Sequence, residues 1–136
     1  MMLLEMAADG FGDRVALGPA DGGLTYRDLY DSAGAASVRF RADGGSHVAM
    51  ADLSSVAMPI SLFGAAWADL PFVPLNYRLT DGELAALASR ISPAIIVVAS
   101  AAPNIPTGLD AHRLRSPHGP LDRLAGAYPC SHHTLA

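Results

Sequence analysis

The side chains able to do chemistry are few and mostly far apart in this sequence. The densest group is "CSHH", with Cys130, His132 and His133 near the end of the chain. Tetrahedral zinc sites take about four ligands, typically from two separated Cys/His pairs. The sequence has one cysteine and no second pair at finger spacing, so the cluster reads as a solvated tail. Ser54 and Ser55 follow a strand-like run and could present a nucleophile, but the GxSxG pattern is absent and helix capping is the stronger reading. Asp52 ends the same run, the position where α/β proteins usually place ligand-contacting groups; it too is expected to cap the next helix. "ADGG" at 42–45 is glycine-rich but follows a helical pattern and precedes a strand, the reverse of a phosphate-cradling loop. No GxGxxG or Walker pattern occurs. All nine basic residues are arginine, so no mechanism can rest on a lysine of these 136 residues. The residues alone therefore assign no catalytic, cofactor-binding or metal-binding side chain.

The composition sets the frame for those residues. A length of 136 residues makes one domain or part of a larger one, and is enough to bury a core without disulfide or metal staples. The chain is 51% hydrophobic and 16% charged, with a mean hydropathy of +0.27. That is globular, and oily for a small free-standing domain, which suggests a face that a partner covers. A net charge of −4 without a basic patch argues against nucleic acid and anionic membrane as partners. The single cysteine excludes an internal disulfide, so a cytoplasmic setting is expected. The N-terminus lacks the basic region of a secretory signal. The two longest uncharged stretches are too short or too proline-rich to span a membrane.

Local patterns predict an alternation of strands and helices. Residues 2–8 read as a short helix with Leu3, Leu4 and Ala7 inward, and "RVALG" (14–18) as a strand followed by the turn "PADGG". "LTYRDL" (24–29) is a helix start. Thr25 caps it, Asp28 reaches back to the cap's own N–H, and Leu24 and Leu29 form a hydrophobic staple. Leu29, Ala33, Ala36 and Phe40 then form one apolar stripe, which Gly34 weakens by about 1 kcal/mol relative to alanine. "HVAMA" (47–51) predicts a buried strand and "DLSS" the cap of a helix over 56–68, with Pro59 in its first turn. "FVPLN" (72–76) reads as a strand, with Pro74 implying an edge or strand-end position because it cannot donate. "LTDGEL" (79–84) repeats the capping grammar with Thr80 and Glu83, and Leu84, Leu87, Ala88 and Ile91 form its stripe. "AIIVVA" (94–99) is a strand buried on both faces. The order predicts an α/β fold with a mainly parallel sheet flanked by helices. Residues 101–136, rich in Pro, His and Arg, read as poorly ordered loop and tail with one helical turn at "PLDRLAG".

The ordered series "LTYRDL", "HVAMADLSS", "SLFGAAWADL", "PFVPLNYRLTDGEL" and "SPAIIVVAS" resembles the opening of the adenylate-forming (AMP-dependent synthetase/ligase) superfamily. That superfamily holds the AMP-forming acyl-CoA synthetases, peptide-synthetase adenylation domains and luciferases. "LTYRDL" is similar to its first core motif and "AAWADLPFVPLNYRLT" to its second, with "PLNYRL" closest to fatty-acyl and aryl-CoA ligases. The resemblance covers roughly residues 1–100 and implies a partial adenylate-forming N-terminal domain there, with 101–136 as the tail. One departure stands out: where the family has Gly-Ala at the end of the helix before "VPL", this chain has Asp69 and Leu70. Asp69 would have to adopt the left-handed conformation that glycine adopts freely.

The resemblance also implies an activity and its parts. Family members join a carboxylate to the α-phosphate of ATP, release pyrophosphate and pass the acyl group to the thiol of CoA, using ATP, Mg2+ and CoA. They need a Ser/Thr/Gly-rich phosphate loop, a Mg2+-holding acid, a ribose-binding aspartate and a lysine, all of which follow the region matched here. No catalytic, cofactor-binding or metal residue is therefore carried over, and none of those cofactors is expected on this chain alone. The expectation is an N-terminal piece inactive by itself; the composition shift of the tail suggests the further hypothesis that the reading frame or the gene was interrupted near residues 100–130. The alternatives are a non-catalytic interaction module that needs a separately encoded partner, or an α/β domain that weakly holds an acyl chain or nucleotide.

Overall fold

A computed structural model describes residues 2–51, 55–76, 78–99 and 111–116. The chain begins with helix α1 (Met2–Phe11) and a two-stranded antiparallel hairpin of β1 (Val15–Leu17) and β2 (Leu24–Thr25). Helix α2 (Tyr26–Asp43) starts where the capping grammar predicts. The Thr25 hydroxyl accepts the Asp28 N–H at 3.1 Å, and the Thr25 N–H donates to the Asp28 carboxylate at 3.1 Å. Leu24 and Leu29, the two staple residues, are both buried in one cluster. Gly44, with φ +71°, ends the helix in the left-handed conformation.

Alternating elements follow: β3 (His47–Ala51), α3 (Ala57–Trp67), β4 (Phe72–Pro74), α4 (Asp81–Arg90), β5 (Ala94–Ala99) and β6 (Ala111–Ser116). The strands form one parallel sheet in the order β4-β3-β5-β6. β4 is at an edge of the described sheet, where the missing N–H of Pro74 breaks no ladder. From β3 the chain moves one strand outward through α3 to β4, then back past β3 through α4 to β5. With right-handed crossovers those opposite steps put the two helices on opposite faces. The core divides accordingly. Val48, Met50, Ile95 and Val97 belong to a cluster with α1, α2 and α3. Ala49, Ala51 and Ile96 belong to a second cluster with Leu84 and Ala88 of α4. The period-2 alternation of two strands thus builds both cores.

Three expectations need correction. Leu3 does not pack inward: it is 78% exposed, because α1 runs on to Phe11 and buries the i,i+4 pair Leu4 and Ala8 instead. Ala7 is only half-buried. The residue that leads into α3 is Val56, already in helical conformation. The Met58 N–H reaches the Ser55 carbonyl at 3.1 Å, and Pro59, in the first turn, has no N–H. Asp52 and Ser54 lie outside the described residues. Finally, the stretch read as loop after residue 100 contains β6, which pairs with β5 from Ala94↔Ala111 to Ala99↔Ser116. The helical turn read at 120–126 and the cluster at 130–133 lie outside the described residues.

Candidate functional site at the carboxyl ends of the strands

Open parallel sheets bind ligands outside the carboxyl ends of their strands, where connections depart in opposite directions. Here that switch point lies between β3 and β5, since β3 leads outward to β4 and β5 leads the other way to β6. The register places Ala51 beside Val98 at this end. Leu75, just past β4, donates its N–H to the Met50 carbonyl at 2.8 Å and is buried. Beyond it, the Asn76 side-chain oxygen accepts the Arg78 N–H at 3.0 Å, and the Asn76 carbonyl accepts the Leu79 N–H at 3.2 Å. These bonds shape the turn into α4. Ala51, Leu75 and the turn-forming Asn76 are thus placed at this end. Residues 52–54 and 100–110, which follow β3 and β5 in the sequence, lie outside the described residues, Asp52 among them.

A serine–histidine contact does occur, at the opposite end of the sheet. Ser46 Oγ lies 2.9 Å from His47 Nδ1 and donates to the Pro93 carbonyl at 2.9 Å. Among the described residues no third group orients the His47 imidazole as a base, so the contact reads as structural. The Ser46 N–H also donates to the Pro93 carbonyl, at 2.8 Å. The pair is a seam between the entries to β3 and β5, 47 residues apart in sequence. Sequence reasoning missed it because neither residue belongs to a recognisable pattern.

Two titrating groups are shifted, and both shifts arise from packing or capping. The Tyr30 phenol is raised, first by burial and then by the carboxylates of Glu5 and Asp9. Its ring lies 4.9 Å from that of Trp67. The Glu83 carboxyl is lowered by the hydrogen bond from the Thr80 N–H and then by the Thr80 hydroxyl. Among the described residues no group of three or more His, Cys, Asp or Glu side chains could hold a metal. No helix among them is long and apolar enough to cross a membrane.

Comparison with known proteins places this architecture. The chain superposes on a benzoate CoA ligase from Burkholderia xenovorans with a TM-score of 0.78 and 19% identity, over 93% of this chain and 28% of that one. A protein assigned as a long-chain-fatty-acid CoA ligase from Rhodopseudomonas palustris gives a TM-score of 0.71 at 24% identity, over 90% of this chain and 35% of that one. The N-terminal subdomain of Klebsiella oxytoca NpsA, solved with 3-hydroxybenzoyl-AMSN, gives 0.71 at 19% identity, over 99% of this chain and 32% of that one. The chain thus spans about a third or less of the length of these structures. A comparison with curated protein sequences returned no match. The family model described as AMP-binding enzyme matches residues 4–127, well past the stretch that the motif series covers. The order of elements, the two-sided core and this match agree: the chain belongs to the AMP-binding enzyme family.

Proposed function

We propose that this chain forms the opening part of the N-terminal domain of an AMP-forming acid–thiol ligase. The complete enzyme would activate a carboxylic acid with ATP as the acyl-adenylate and transfer the acyl group to CoA. The observation that carries this reading is the family match over 4–127 together with the β4-β3-β5 sheet. Both fatty-acyl and aryl-acyl ligases stand among the similar structures, so the substrate is proposed only as a carboxylic acid. A cytoplasmic setting fits the single cysteine.

These 136 residues are proposed to be inactive by themselves. The pentavalent transition state and the leaving pyrophosphate need fixed positive charge and N–H donors. The sequence has no lysine, and among the described residues no group of three or more His, Cys, Asp or Glu could hold a metal. ATP–pyrophosphate exchange with a panel of aliphatic and aromatic acids tests this. No exchange above background is expected; carboxylate-dependent exchange by the purified chain would overturn it.

A second reading, an interaction module completed by a separately encoded partner, is favoured by α3. From Ala57 to Trp67 that helix carries no charged side chain, yet Met58 and Leu62, one turn apart, are each 43% exposed. A helix apolar all round normally lies buried. The partner proposed is further polypeptide of the same enzyme type. Sedimentation with and without such a polypeptide tests it. Complex formation lost in Leu62→Glu supports the reading, and an unchanged monomer in both samples sinks it.

A further inference from the structure

We draw no further inference here: the strongest candidate, the outward apolar stripe of Met2, Leu3 and Met6 on α1, is an exposed surface patch for which nothing in the structure shows what covers it.

Discussion

The ring of Trp67, at the end of α3, lies against Gly34 in the middle of α2: a Cβ added at Gly34 would sit 3.3 Å from it. Tyr30, one turn earlier on α2, packs its ring 4.9 Å from the same indole. Arg41, two turns later, donates a hydrogen bond to the Trp67 main-chain carbonyl. Arg41 thereby satisfies an otherwise unpaired carbonyl at the negative end of α3. One face of α2 therefore grips the end of α3 by ring stacking, close approach and a charged hydrogen bond. This explains why α2 tolerates a glycine that lowers its helix propensity.

The same interface predicts opposite outcomes for two glycine-to-alanine changes. Gly64 of α3 faces α2, where an added Cβ would meet Ala36 Cβ at 2.8 Å, the Phe40 ring at 3.1 Å and the Ala33 carbonyl at 3.2 Å. Overpacking of this kind costs about 1–3 kcal/mol, more than the roughly 1 kcal/mol of helix propensity gained. Gly10 of α1 has nothing within 4 Å. Gly64→Ala is expected to lower the urea midpoint and Gly10→Ala to raise it. A rise in both would mean that α2 and α3 are not closely packed at Gly64.

Asp69 closes α3 with φ +60°, the left-handed conformation its position demands. The Leu70 N–H reaches back to the Ala65 carbonyl at 2.9 Å, and the Asp69 N–H to the Ala66 carbonyl at 3.3 Å. That pair of bonds is a Schellman closure with aspartate in the place glycine usually fills. A left-handed non-glycine residue costs roughly 1–2 kcal/mol, less for aspartate. Asp69→Gly is expected to stabilise the chain by up to about 1 kcal/mol, and Asp69→Val to destabilise it. Thermal unfolding of the two variants decides. Equal midpoints would show that the closure is not held in the folded chain.

What could be read from the sequence was what neighbouring residues decide. Thr25 with Asp28 and Thr80 with Glu83 form their capping boxes because both partners lie three residues apart. The stripe Leu29, Ala33, Ala36 and Phe40 is buried as its spacing requires. The left-handed turn at Asp69 was legible through the family resemblance, which puts glycine at the end of that helix. The misses depend on distant partners. Leu3 is exposed because other elements bury the Leu4 side of α1. β6 is a strand through its pairing with β5, while its own sequence, "AHRLRS", carries little apolar signal. The candidate site was legible only as a consequence of strand order. Asp52, the one residue singled out there, lies outside the described residues.

The Thr25–Asp28 box should behave as a coupled unit. The Thr25 hydroxyl donates to the Asp28 carboxylate at 2.6 Å while accepting the Asp28 N–H at 3.1 Å. Thr25→Ala is expected to cost about 1 kcal/mol, within the usual range of roughly 0.5–2 for cap loss. Asp28→Ala removes the reciprocal bond to the Thr25 N–H. Residues sharing one network couple by about 0.5 kcal/mol or more, so the double variant should lose less than the two single losses combined. Strict additivity in a double-mutant cycle would show that the two bonds form independently.

The corresponding box at α4 predicts a pH dependence with a definite sign. Glu83 accepts the Thr80 N–H at 2.9 Å and the Thr80 hydroxyl at 2.8 Å. These bonds favour the carboxylate and hold its pKa below the ordinary 4.5. The unfolded chain therefore binds this proton more readily than the folded one. The carboxylate's contribution is fully present above the ordinary glutamate range and is lost as pH falls through the lowered folded value. Because Glu83 is exposed, the effect is confined to the first turn of α4. The Thr80 amide resonance should therefore titrate with a midpoint below the ordinary glutamate value, and α4 should fray as it does so. In Glu83→Gln that titration should vanish. An unchanged titration in the variant would assign the proton to another group and remove the box from the acid response of α4.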